Sequence, residues 1–316
     1  MNELIKKINE ANTIAIAGHL TPDGDATGAC LALNAYIKKN FSDKQTHVFL
    51  KFPSDKFSFL YGYADIEDAG ESTLVPDLMI ALDCADKDRL GIGKTVYDRA
   101  LDTICIDHHE TNLGFAKTNI IDGSSSSTCE VLYGLLDDAL IDREVAECLY
   151  MGIIHDTGVF KYSCTSPQTM RVAANLMEKG VDTCGIIDDT FYARTYLQAQ
   201  ILGRQLMEST VMMDGRVIFA VLPLKIKQLY GVNDQDIDGI AEQLRLTKGI
   251  ECAIFIHEKT PHEFKVSMRS KEIVDVSTVA TKFGGGGHKR AAGCTIFGNA
   301  YDVINNIALS IEKQLV

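Results

Sequence analysis

The 316 residues carry 31 Lys and Arg against 43 Asp and Glu, a formal charge of −12, with 46% hydrophobic and 23% charged side chains. That length suits two domains, and the composition excludes a disordered or collagen-like chain. The acidic balance argues against long duplex nucleic acid as a partner. The longest apolar runs, such as Leu78–Leu82 and residues 14–17, fall far short of the ~20 residues of a membrane helix. Residues 1–12 have no apolar core of a leader peptide, so a soluble, cytoplasmic protein with no membrane partner is expected. Nine Cys with no C-x-x-C spacing, several of them inside apolar stretches, read as buried free thiols in a reducing compartment.

Short β-branched or aliphatic runs at residues 13–17, 46–50, 78–82 and 103–106 predict strands, with a helix over 26–39 between the first two. This alternation predicts an α/β fold, a parallel sheet with helices on both faces. Ser127 followed by Glu130 has capping-box spacing and predicts a helix through about residue 138. Further helices fit 143–154 and 167–179. A polar stretch near 188–195 leads into a connecting helix over 196–210, the place for a hinge. A smaller α+β unit follows, with strands at 217–222, 251–257, 264–269 and 293–297 and a closing helix over 301–315. The expected organisation is a first domain over residues 1–190, a connector over 191–212 and a second domain over 213–316.

Chemistry gathers where strands end. The first strand runs into Gly18-His19-Leu20-Thr21-Pro22-Asp23-Gly24-Asp25, the third ends at Asp83, and the fourth ends at Asp107-His108-His109. His155-Asp156 follows another apolar run. Ligands of open α/β sheets bind beyond the carboxyl ends of the strands, and here separate strands bring His and Asp to that edge. Clustered carboxylates repel one another and raise their own pKa values unless positive charge sits among them. A pair of divalent cations supplies it, and oxygen with imidazole donors, without thiolate, suits Mn²⁺ or a similar ion. Two such ions ~3.5–4 Å apart polarise a phosphoryl group, activate a water and steady the leaving oxygen.

These motifs, with Gly284-Gly285-Gly286-Gly287-His288-Lys289-Arg290-Ala291-Ala292-Gly293 far downstream, resemble the DHH phosphoesterase family and its associated C-terminal domain. The likeness spans almost the whole chain, and length and domain order are most similar to the branch acting as oligoribonuclease and 3′-phosphoadenosine-5′-phosphate (pAp) phosphatase. The resemblance implies one metal on His19, Asp23 and Asp83 and a second on Asp25, Asp83, His108 and Asp156, with Asp83 bridging. It places His109 near the scissile phosphate as proton donor or charge stabiliser, and Asp107 behind it, orienting a histidine. Mn²⁺ is the expected ion, with Mg²⁺ or Co²⁺ as substitutes.

Residues 259–290 hold seven basic side chains against three acids, a local +4 in an acidic chain. The glycines let backbone N–H groups approach a phosphate, and His288 adds a donor. Arg269, Gly286, Gly287, His288 and Arg290 are the expected substrate-binding residues, whereas Lys271, Lys282 and Lys289 read as solvated surface. Gly91-Ile92-Gly93-Lys94-Thr95 lacks the upstream Gly of a phosphate-binding loop, where Asp88 stands. The expected activity is hydrolysis of short RNA fragments to nucleoside 5′-monophosphates, with removal of the 3′-phosphate from nucleoside bisphosphates such as pAp. The rivals are a cyclic- or linear-dinucleotide signalling phosphodiesterase, a manganese pyrophosphatase and a non-catalytic nucleotide-binding regulator. Monomer and homodimer stay equally open.

Overall fold

The computed structural model describes residues 2–51, 53–67, 70 and 72–315. The chain divides into two compact units, Met1–Ala193 and Arg194–Val316.

The first unit is built on a six-stranded parallel sheet of β1 (Thr13–Ala17), β2 (Gln45–Phe49), β3 (Ile66–Glu67), β4 (Leu78–Leu82), β5 (Asp102–Asp107) and β6 (Thr118–Ile121). The order is β3-β2-β1-β4-β5-β6, so its direction reverses beside β1. That reversal opens a crevice past the ends of β1 and β4, where His19 and Asp83 follow. The sequence pattern finds β1, β4 and β5 because they are almost wholly buried, and β2 because its C-terminal half is. It misses β3 and β6 at the sheet edges, where exposure removes the apolar run.

Helices α1 (Glu3–Glu10), α2 (Gly24–Asn40), α3 (Lys94–Tyr97), α4 (Thr128–Tyr133), α5 (Arg143–Asp156), α6 (Pro167–Glu178) and α7 (Thr183–Ile187) complete this unit. Both sheet faces are covered, unequally. Ile14, Ile16, Ile80, Leu82 and Ile106 belong to the large core that includes α2 and α5, whereas Ala15, Ala17, Met79 and Ala81 pack with Leu90, Val96 and Tyr97 in a smaller one. The small alanines let the short elements over residues 87–97 approach closely.

Glycine sets the α2–α5 crossing. A Cβ on Gly28 would stand 2.5 Å from the Cys148 carbonyl oxygen, and one on Gly152 would stand 2.3 Å from Cys129 Sγ. A Cβ on Gly24 would strike the His155 ring at 2.1 Å. Helix α4 is shorter than its capping signal predicts. Ser127 Oγ accepts from the Glu130 N–H, but the Glu130 carboxylate accepts from Ser126 N–H, Ser126 Oγ–H and Thr169 Oγ1–H. Tying α4 to α6 wins over closing the cap; the reciprocal capping box sits on α6, between Ser166 and Thr169.

The second unit has strands β7 (Thr210–Met212), β8 (Val217–Leu222), β9 (Cys252–Thr260), β10 (Glu263–Ser270), β11 (Gly286–His288) and β12 (Ala291–Phe297), in the order β11-β12-β10-β9-β8-β7. Only β8 and β9 run parallel. Its helices are α8 (Tyr196–Met207), α9 (Leu224–Tyr230), α10 (Ile240–Arg245), α11 (Val276–Thr281) and α12 (Ala300–Leu315). Residues from α11 and α12 share one core with the sheet, and those from α8 and α10 share another, in which α8 buries Ile201. No helix among the described residues is long and apolar enough to cross a membrane. All nine Cys are free thiols, exposed only at Cys164 and Cys184.

Candidate active site

His19 leaves β1 buried, with Nε2 3.7 Å from Asp23 Oδ1 and 3.5 Å from Asp83 Oδ2. Asp23 is the N-cap of α2, accepting from the Asp25 and Ala26 N–H groups. Asp25, one position into the helix, is fully buried, and its oxygens accept from the Thr128 N–H at 2.6 Å and the Cys129 N–H at 2.9 Å. Those are orphan donors of the first turn of α4, so one helix end presents Asp25 and another grips it. Asp83 follows β4 with φ +54°, a left-handed conformation that turns its carboxylate off the strand. It accepts a hydrogen bond from Thr128 Oγ1 at 3.1 Å.

From β5, His108 Nε2 lies 3.1 Å from Asp156 Oδ2 and 3.6 Å from Asp83 Oδ1. His109 Nδ1 lies 2.8 Å from Asp107 Oδ1 and 3.6 Å from Asp83 Oδ1. Asp107 is fully buried and also accepts from the His108 N–H and Asn112 Nδ2. Asp156 reaches the cluster from the C-terminal end of α5, a helix rather than a strand. Three sets of ligand-bearing atoms thus lie within 4.8 Å of one another: His19, Asp23 and Asp83; Asp25, His108 and Asp156; Asp83, His108 and His109.

Burial resists a charged imidazole at His19 and His108, yet the surrounding carboxylates override it. Asp23 and Asp83 pull His19 up to about 9, and Asp156 with Asp25 pulls His108 up to about 10. Asp107 draws His109 upward as well. Burial, then the neighbouring Asp83 and Asp156 charges, pushes the Asp25 carboxyl well above its ordinary range, and Asp156 is raised by burial first.

In the second unit, Arg269 lies on β10 beside Ala291 of β12, and its guanidinium donates to the Met268 carbonyl at 3.0 Å. The glycine run forms α11's exit and β11. A Cβ on Gly285 would meet the Gly293 oxygen at 2.2 Å, and Gly287 has φ +140°, while Gly286 faces open space. His288 is exposed at the end of β11. Arg290 is held differently: it donates to the carbonyls of Glu272 and Val274. The same loop is gripped from its N–H side by the buried Glu251 carboxylate, which accepts from Glu272, Ile273 and Val274. Neither half of that clamp is legible in the motif, because its members are distant in sequence.

Residues 13–153 match the DHH family, N-terminal domain, and residues 215–314 match the DHHA1 domain. The bifunctional oligoribonuclease and PAP phosphatase NrnA of Thermus thermophilus is 30% identical over 299 residues, covering 94% of this chain and 87% of that protein. The chain belongs to the DHH family. The NrnA protein of Bacillus subtilis is 24% identical over 315 residues, 98% of this chain and 97% of that one. A crystal structure described as an exopolyphosphatase-related protein from Bacteroides fragilis superposes with a TM-score of 0.85 at 25% identity, covering 98% of this chain and 94% of that chain.

As a DHH phosphoesterase the chain is a hydrolase of phosphoester bonds, and the chemistry of the family depends on divalent metal. The donor set fits such ions. Four carboxylates and imidazoles converge without a thiolate among them, and the cluster holds protons on imidazoles and carboxyls that a cation would displace. The supports that the DHH motifs do not announce are Thr128, the α4 N–H groups and Asn112. They belong to no motif, and a polar residue opening a helix is the only trace Thr128 leaves in the sequence.

Proposed function

We propose that this chain hydrolyses oligoribonucleotides a few residues long to nucleoside 5′-monophosphates and also removes the 3′-phosphate from pAp. The observation that carries this reading is the convergence of His19, Asp23, Asp25, Asp83, His108 and Asp156 at the sheet's reversal point in a chain related to NrnA proteins over most of its length. His19, Asp23 and Asp83 would hold one divalent cation and Asp25, Asp83, His108 and Asp156 the other, Mn²⁺ being the best match and Mg²⁺ or Co²⁺ alternatives. When bound, such a pair polarises the phosphoryl group and lowers the pKa of water.

The chain's own residues do the rest. The α4 N–H groups hold Asp25, and Thr128 holds Asp83, so the carboxylates meet the reaction already oriented. Asp107 takes the Nδ1 side of His109, which leaves Nε2 to give a proton to the departing oxygen. Arg269 and His288 hold a remote substrate phosphate, so that positioning lowers the barrier. Arg290 acts through the loop it clamps rather than on the substrate directly.

The test is hydrolysis of the dinucleotide pApA, pAp, a cyclic dinucleotide and pyrophosphate by purified protein, after chelation and after adding back Mn²⁺. Wild type should cleave pApA and pAp only with metal. Asp83→Asn, which keeps a residue type tolerant of positive φ, should lose turnover by at least 10³-fold. Metal-independent cleavage, or full activity in Asp83→Asn, would overturn the reading.

A further inference from the structure

The carboxylates of the metal cluster are not held alike. Asp23 accepts from the Asp25 and Ala26 N–H groups, Asp25 from the Thr128 and Cys129 N–H groups, and Asp83 from Thr128 Oγ1. The Asp156 carboxylate has no such tether among the described residues; its partner is His108, 3.1 Å away and itself one of the clustered donors. Its place is therefore set by the place of the last turn of α5. A pair of cations at a defined spacing needs that turn fixed.

The fixing contact comes from the preceding residue. His155 lies about 100° round the helix from Asp156, so the two side chains leave α5 in different directions. The His155 ring takes the space that a side chain on Gly24 would fill, since a Cβ there would stand 2.1 Å from its Cγ and 2.6 Å from its Nδ1. Gly24 is the residue between Asp23 and Asp25, so one ring presses on the backbone that carries both. Two phenyl rings close its other sides. Phe57 is buried and meets His155 edge-on, with centroids 5.1 Å apart and planes at 81°, while Phe191 lies at 4.4 Å and 42°. Phe57 belongs to the turn Asp55–Phe57 and Phe191 to the π-helical turn Asp188–Tyr192, both within the first unit. Lys56 braces the two turns, with Nζ 3.5 Å from the Thr190 carbonyl oxygen and 5.0 Å from the Phe57 centroid. His155 Nε2 is buried and has no hydrogen-bond partner among the described residues. The ring therefore works through its shape, because a buried polar atom left unpaired only subtracts stability.

We propose that His155 is a positioning residue: wedged between Gly24, Phe57 and Phe191, its ring sets how far the end of α5 stands from the start of α2, and so whether Asp156 shares a cation with Asp25, Asp83 and His108. The inference rests on the two-cation reading of the site and deepens it, because it makes the occupancy of one cation depend on a ring that ligates neither. The cation on His19, Asp23 and Asp83 does not use Asp156 and is spared.

Calorimetric Mn²⁺ titration of the full chain without substrate tests this, together with steady-state rates on pAp over a range of Mn²⁺ concentrations. Wild type should bind two ions. In His155→Ala one ion should lose about tenfold or more in affinity while the other stays within about threefold. The lost turnover should return as Mn²⁺ is raised, with KM for pAp unchanged. His155→Phe, which refills the space without nitrogens, should restore both affinities to within about threefold of wild type. Phe191→Ala removes a supporting ring and leaves α5 intact; it should weaken the same ion at least threefold, and it decides the matter if His155→Ala does not fold. Two ions bound as in wild type by either alanine variant would overturn the proposal, as would a His155→Phe protein as impaired as His155→Ala. A protein that binds two ions in this His155-dependent way yet cleaves neither pApA nor pAp would defeat the oligoribonuclease reading alone. A wild type that binds fewer than two would defeat both.

Discussion

His257 shows how a single buried side chain can report on pH. Its folded pKa, about 4, lies below the ordinary 6.5, so the unfolded chain binds more protons between those values. The stability that this residue contributes is complete above pH 6.5 and is lost as pH falls toward 4, on the order of 3 kcal/mol in all. Urea unfolding of wild type and His257→Phe at pH 7 and pH 4.5 should therefore show the gap between them shifting toward the variant at the lower pH. A gap independent of pH would mean the ring is not held neutral. At this scale the sequence is uneven. His19, Asp83 and Asp156 are legible because a charged group at the end of an apolar run is costly and conspicuous. Thr128, Asn112 and Glu251 are not, because each works through a hydrogen bond to a residue far along the chain.

Helices α2 and α5 approach through Gly28 and Gly152, and a side chain on the latter would collide with a carboxylate of the metal-ligating cluster. A Cβ on Gly152 would fall 2.9 Å from Asp25 Oδ1 as well as 2.3 Å from Cys129 Sγ. Gly152→Ala should therefore destabilise the protein by about 1–3 kcal/mol and weaken Mn²⁺ binding, read by denaturant unfolding and by metal titration. An unchanged midpoint and affinity would show that the helices yield without disturbing the carboxylate. The elements most visible in sequence are the almost wholly buried strands β1, β4 and β5 and the long helices α2, α5, α6 and α12. The short ones, α9, α10, α11, β7 and β11, escape the pattern because fewer than two helical turns, or three strand residues, show no periodicity. The Ser127 signal places the start of α4 correctly, while the reciprocal half of the box is missing because the Glu130 carboxylate accepts from Ser126 and Thr169 instead.

Each unit of the molecule has its own cores, and every residue of the metal-ligating clusters belongs to the first. Binding stabilises the state that binds, so Mn²⁺ should slow hydrogen exchange in β1, β4 and β5 while leaving β8, β9 and β10 unchanged. Protection appearing equally in both units would assign metal to a second place. The division into an α/β half and an α+β half is legible from the change in strand and helix rhythm, whereas the reversal of strand order beside β1 is not, since order in space leaves no mark on order along the chain. That reversal gathers ligands from His19 through Asp156 into one cluster. A nascent chain emerging from the ribosome therefore has no complete cage until α5 has been synthesised and docked. A cation on His19, Asp23 and Asp83 needs the chain only as far as the end of β4, so it is the second of the two sites that waits for α5.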